Sequence, residues 1–168
     1  MTAHSPTTDE AAAVGLKLDA YLPYRLSVAS NAVSGLIARA YQDRFGLTIP
    51  QWRIICVLVE DGPLTQGGVV ARTGMDKVTV SRAAQGLTKR HLLDRSDHHA
   101  DGRSHVLALS REGERLYAEI APLALAYEAA LIAGLAPVEV EQLKRLLHRL
   151  QNAAERLSGE AAPGKAPM

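Results

Sequence analysis

After about residue 91 the hydrophobic period of this chain changes, and that change constrains the fold more than any other feature. Up to that point apolar residues recur at helical spacing, but Leu92 to Ser96 and His105 to Leu109 read as two short strands. Between them lies Asp97-His98-His99-Ala100-Asp101-Gly102-Arg103-Ser104, where Asp101-Gly102 is a strong turn signal because both residue types tolerate positive φ. From Arg111 the helical period returns. The expected class is mainly α with a small β-hairpin.

The helices before the hairpin carry local start and stop signals. Leu22, Leu26, Ala29, Val33, Ile37, Ala40 and Tyr41 mark a long first helix from Leu18 or Pro23 to Arg44, with Gly46 placed to end it. Thr48 and Gln51 have capping-box spacing, and Leu47 and Trp52 stand at hydrophobic-staple positions, so a second helix runs to about Glu60 and stops at Asp61-Gly62-Pro63. Thr65 caps a shorter third helix ending at Thr73-Gly74. Asp76 starts a fourth, in which Val80, Ala83, Ala84 and Leu87 share one face. The opposite face carries Val78, Arg82, Gln85 and Lys89, flanked by Lys77, Thr79 and Ser81. After the hairpin, Ser110 caps a long helix to about Ala133, and a last helix follows Pro137 with Val140, Leu143, Leu146, Leu147 and Leu150 in line.

The bulk properties bound the rest. A chain of 168 residues suits one domain or one compact dimer subunit. Ile120 to Val138 holds a single charge, Glu128, yet it is Ala-rich and interrupted by Pro122 and Gly134, so a buried or subunit-facing helix is expected rather than a membrane span. The lone cysteine, Cys56, allows no intrachain disulfide, which suits a reducing compartment. No signal-peptide pattern opens the chain, so a cytoplasmic protein is expected. Residues 1–17 and 158–168 read as disordered tails. No G-x-S-x-G, H-E-x-x-H, phosphate-binding loop or dinucleotide fingerprint is present, so neither an enzyme nor a cofactor is expected.

Two short helices joined by a glycine-containing turn and followed by a basic hairpin form the order of a winged helix-turn-helix. A helix fits the major groove and presents its outward N-terminal residues to base edges. A protruding hairpin can reach the neighbouring minor groove, whose negative potential draws arginine. Net charge is only +1, but residues 72–103 hold seven basic residues (Arg72, Lys77, Arg82, Lys89, Arg90, Arg95, Arg103) against four acidic ones, a local +3. Double-stranded DNA is the expected partner. A non-specific architectural binder is the alternative, and the near-neutral total argues against it.

The wing segment Asp101-Gly102-Arg103, followed after five residues by Leu109-Ser110, resembles the pattern D-x-R-x-x-x-x-x-L-T of the multiple-antibiotic-resistance regulator (MarR) family, with Ser for the final Thr. Gly46-Leu47-Thr48 with Gln51-Trp52, and Val80-Ser81-Arg82, support the resemblance over about residues 18 to 157. It implies a homodimer whose first and last helices intertwine, with residues 18–46 and 111–157 as a helical dimerisation region and 47–110 as the winged helix-turn-helix. It also implies a near-palindromic operator, usually repressed, with release by a small molecule or by oxidation. An aromatic acid or acyl-CoA-like effector would sit between the first, second and fifth helices and the DNA-binding lobe, with Tyr24, Arg25, Asn31 and Trp52 as candidates.

Several readings stay open at this level. Arg82 can read guanine or clamp a phosphate, Gln85 has the chemistry for adenine, and Arg103 can be a minor-groove finger or an exposed partner of Asp101. Lys77, Val78, Thr79, Ser81, Lys89 and Arg95 complete the DNA-facing candidates. Cys56 is a buried inert thiol or, alternatively, an oxidation sensor. His98, His99, His105 and Asp101 cluster without metal-site spacing, so no metal is expected. The chain also departs from the family pattern. His91 replaces a usual Gly after the fourth helix, Gly86 interrupts that helix, Gly67-Gly68 weaken the third, and Ala136 stands where a capping Ser is common.

Overall fold

The computed structural model describes residues 16–97 and 105–159. A 3-10 turn, Leu18–Ala20, leads into α1, Leu22–Phe45. Pro23 occupies the first turn of α1, and Gly46 closes it in the left-handed region (φ 61) with its N–H on the Gln42 carbonyl at 2.8 Å. α2, Ile49–Asp61, starts with the complete capping box: Thr48 N–H donates to Gln51 Oε1 at 2.9 Å, and Gln51 N–H to Thr48 Oγ1 at 3.4 Å. β1, Leu64–Thr65, precedes α3, Gln66–Thr73, whose first turn is capped by the Thr65 hydroxyl on Gly68 N–H at 3.1 Å. Then come α4, Lys77–Lys89, and the strands β2, Leu93–Asp97, and β3, His105–Leu109. α5, Arg111–Ile132, and α6, Pro137–Gly159, finish the chain.

The sheet has three antiparallel strands in the order β1-β3-β2, not the two of a bare hairpin. Leu64 pairs with Leu107 and Thr65 with Val106, while β2 and β3 pair from Leu93–Leu109 to Asp97–His105. β1 escapes sequence reading because two residues carry no period; its strand character comes from its partner.

One apolar cluster holds the winged region together. Leu47, Ile54, Ile55, Val69, Val80, Leu87, Leu107 and Ile120 are fully buried, and Ala38 and Tyr41 bring the C-terminal end of α1 into the same cluster. The expected inward face of α4, Val80, Ala83, Ala84 and Leu87, is the buried one. By contrast, α6 buries no residue, and Leu143, Leu146, Leu147 and Leu150 on its apolar face are exposed.

The apolar stretch from Ile120 to Val138 is not one helix. α5 runs through Pro122, ends at Ile132, and the chain bends by 106° into α6. Among the described residues no single helix is long and apolar enough to cross a membrane. Ala136 offers no capping side chain, but Glu139 reaches back to its N–H at 2.7 Å, supplying the reverse half of a capping box. The expected tails lie outside the described residues except for 16–17 and 158–159; Ser158 and Gly159 end α6, so that helix runs further than expected.

Candidate nucleic-acid interface

The turn between α3 and α4 is built to hold two short helices at a fixed angle. Gly74 is left-handed (φ 67), and its N–H returns to the Val70 carbonyl at 3.0 Å. Thr73 Oγ1 donates to the Val69 carbonyl at 2.7 Å and accepts from Met75 N–H at 3.3 Å. Asp76 caps α4, accepting from Thr79 N–H at 2.8 Å and from the Thr79 hydroxyl at 2.6 Å. These two bonds hold the Asp76 carboxyl below its ordinary range. Thr79 therefore spends its hydroxyl on the helix start and is half-buried.

The outward face of α4 gathers the other helix candidates. Lys77, Val78, Arg82, Gln85 and Lys89 are exposed and Ser81 is half-buried. Val78 is 58% exposed in the first turn, a large apolar side chain left in water where base edges would lie. Arg95 of β2 joins the far end of this face, lining with Gln66, Gln85 and Lys89 a cleft of about 200 Å³. None of Lys77, Arg82, Lys89 and Arg95 forms an ion pair among the described residues. Asp101 and Arg103 lie outside the described residues. Leu109, the last apolar residue of the wing motif, pairs with Leu93 and packs on the core.

Two cations of the basic cluster serve other ends. Arg72 bridges Asp61 at 2.8 Å and Glu60 at 3.1 Å, fastening α3 to the end of α2. Arg90 donates from Nη1 to the Gly46 carbonyl at 2.9 Å and from Nη2 to the Phe45 carbonyl at 2.8 Å. Sequence charge counting could not see this, because the partners are carbonyls 44 and 45 residues away.

The end of α4 is a Schellman turn with His91 in the left-handed position (φ 56). His91 N–H donates to the Thr88 carbonyl at 2.9 Å and Leu92 N–H to the Leu87 carbonyl at 3.0 Å. Ser110 fastens this turn to α5: its hydroxyl donates to the His91 carbonyl at 2.6 Å and accepts from Gly113 N–H at 3.1 Å. Gly113 is pressed so closely on the Leu92 carbonyl that no Cβ fits there. Gly86 has a similar reason, which its sequence context hides. A Cβ at 86 would lie 2.6 Å from Gln51 Nε2, the far end of a side chain, so the glycine leaves room for the capping glutamine of α2.

The MarR family model matches residues 45–104, the stretch from the end of α1 to the hairpin. A MarR/EmrR family transcriptional regulator from Acinetobacter sp. ADP1 is 26% identical, with a TM-score of 0.77 over 84% of this chain and 99% of its own. A "probable transcriptional regulator" from Pseudomonas aeruginosa is 32% identical, with a TM-score of 0.67 over 80% of this chain and 99% of its own. This chain belongs to the MarR family. It is a DNA-binding transcriptional regulator with the winged-helix fold. BpsR of Bordetella bronchiseptica, whose DNA binding is regulated by 6-hydroxynicotinic acid, is another similar structure: 26% identity, TM-score 0.74, 82% of this chain and 97% of its own covered.

In this MarR-family chain the four effector candidates do not gather around one point. Trp52 sits between Tyr41 of α1 and Tyr117 of α5, with ring centroids 5.6 and 5.7 Å away, at the junction of α1, α2 and α5. Burial raises the Tyr41 hydroxyl above its ordinary range, so it stays neutral. Tyr24, Arg25 and Asn31 lie exposed on the N-terminal half of α1. At 1.5 Å per residue, about 24 Å of helix separates Arg25 from Tyr41. A cleft of about 390 Å³ between the end of α2, β3 and α5 shares Tyr117 with the stack, and its charged group is Glu114.

Cys56 is half-buried in α2, and burial pushes its thiol up to about 11, with Glu60 adding to the rise. Arg53, one turn back, does not offset this. A thiol in that range is a poor peroxide sensor. His98, His99 and Asp101 lie outside the described residues, and among the described residues no group of three potential ligands could hold a metal.

Proposed function

We propose that this regulator is a homodimeric repressor that binds a near-palindromic operator and leaves it when a small aromatic acid binds. The observation that carries the reading is the outward face of α4. Four cations without ion pairs among the described residues and one exposed valine surround a helix whose start and end are both fixed by hydrogen bonds. In this reading residues 47–110 form the DNA-binding lobe, and residues 18–46 and 111–157 form the dimerisation frame. Val78, Ser81, Arg82 and Gln85 face base edges. Lys77, Lys89 and Arg95 face phosphates. Arg103 enters the minor groove from the wing. The protein acts by binding rather than by catalysis, in the cytoplasm.

The dimer is supported by apolar surface that none of the other described residues covers. Leu125 is 64% exposed and Val138 67%, and the α6 leucines are exposed as well. A second copy offering the same surface would bury it. The effector class is supported by the likeness to BpsR and by the aromatic junction at Trp52.

The test is selection of bound DNA from a random pool, repeated with 6-hydroxynicotinic acid and related aromatic acids. The expected result is one palindromic consensus and loss of binding with at least one acid. Binding that is steep in salt and without consensus would establish an architectural protein instead.

A further inference from the structure

We infer that Arg90 is a positioning residue that ties the recognition helix α4 to α1 and thereby sets the separation of the two recognition helices in a dimer. This rests on the dimeric, operator-binding reading above.

Arg90 completes two helix ends at once. Its backbone N–H closes the last turn of α4 on the Leu87 carbonyl at 3.1 Å. Its guanidinium takes the Phe45 and Gly46 carbonyls at the end of α1. Those carbonyls have no helical partner and carry the negative end of the α1 dipole, which a forked cation satisfies in a fixed geometry. A residue whose main chain belongs to one helix and whose side chain caps another leaves little freedom between them. The next two residues repeat the pattern toward α5, through Ser110 on the His91 carbonyl and Ser110 N–H on the Leu92 carbonyl at 3.2 Å. The C-terminal end of α4 is thus held from both sides by helices of the frame, while its N-terminal end reads DNA.

The leverage follows from length. α4 has 13 residues, so its two ends stand about 20 Å apart. A tilt of about 5° at Arg90 moves the Lys77 end by about 2 Å, enough to misplace a base contact. A phosphate-binding arginine would behave differently, because its loss weakens every site alike and flattens the salt dependence.

The experiment uses the full-length protein, the operator selected by the wild type, and the same operator with its spacer lengthened or shortened by one base pair. Arg90→Lys keeps the charge but loses the fork; Arg90→Gln loses both charge and fork. Both are assayed at a temperature where circular dichroism shows them folded. The expected result for Arg90→Lys is an unchanged salt slope together with a preference for the cognate spacing reduced by about fivefold or more. Retention of the wild-type spacing preference by Arg90→Lys would overturn the inference. So would an equal loss on all three operators with a salt slope lowered by about one unit per protomer in Arg90→Gln, which marks a phosphate contact. A wild type that selects no operator would instead remove the dimeric-operator reading, and this inference with it.

Discussion

The lobe from α2 to β3 and the frame made by the first half of α1 and by α6 both draw on Leu, Val and Ala for their apolar faces, yet they end differently. In the lobe, Ile54, Ile55, Val69, Val80, Leu87 and Leu107 are sealed from water within one chain. In the frame, Leu22, Val28, Leu143, Leu147 and Leu150 remain exposed. The lobe is finished by its own residues, whereas the apolar face of the frame stays open, and in the proposed dimer a second copy covers it. What separates them is whether an element of the same chain lies opposite each apolar face.

The largest effect should come from charging the unfinished half. Leu147→Glu places a carboxylate on the apolar face of α6, where a second copy would have to bury it. Light scattering should then show a species of 18.0 kDa rather than twice that mass, with operator affinity down about 100-fold or more. A variant that stays dimeric and binds normally would break the contrast.

The seam between the halves is the next target. Gly113→Ala forces a methyl group against the Leu92 carbonyl and the Leu109 side chain, and should cost about 2–3 kcal/mol in denaturant unfolding. Within the lobe, Arg82→Ala should cost about 1–3 kcal/mol on the cognate operator and relax selectivity at one symmetric pair of positions. Arg103→Ala should lower the salt slope by about one unit while keeping most base preferences. Equal weakening of all operator variants by Arg82→Ala would reduce that residue to a phosphate clamp.

A smaller effect probes the packing of α4 on α2. Gly86→Ala should gain about 1 kcal/mol from helix propensity, but it displaces Gln51 from the Thr48 N–H, so the net change should lie near zero. In a Gln51→Ala background the full gain should appear. Without that coupling in thermal or denaturant melts, the contact is not what places a glycine there.

The smallest effect concerns Cys56. Its folded thiol ionises near 11 against an ordinary 9.0, so the protonated form is the one that folding favours. Stability owed to this group is constant below about pH 9 and declines as pH rises from 9.0 toward 11. Cys56→Ser should remove that decline and leave operator binding unchanged. Peroxide release of the wild type that spares the serine variant would restore a redox role.

What the sequence disclosed and what it withheld divide by distance along the chain. Thr48 with Gln51, Thr65, Asp76 and Ser110 were readable as caps because a cap and the N–H it satisfies lie three residues apart. The inward face of α4 was readable for the same reason. Arg72 and Arg90 count toward the basic cluster in the sequence, but the groups they bond are 11 residues away or more and no local pattern discloses them. Gly86 looked like a flaw in its own helix, since Gln51, the cause, belongs to another. His91 was flagged as a poor substitute for glycine, and it does adopt the left-handed conformation, held there by the Schellman bonds. Of the effector candidates, Tyr24, Arg25 and Asn31 stand on the N-terminal half of α1 while Trp52 stands on α2 beside Tyr41, a separation along the helix that residue type does not disclose.

Ser110 has a consequence for how such a protein can change. By joining the turn at His91 to the start of α5, it clasps the hairpin at its root, where the chain leaves α4 and where it returns. Any change between β2 and β3 therefore meets the body of the protein at a root closed by hydrogen bonds beside the end of α4. Under the proposed DNA-binding reading, exchanging that segment should alter the contacts of the wing before it alters the seating of α4.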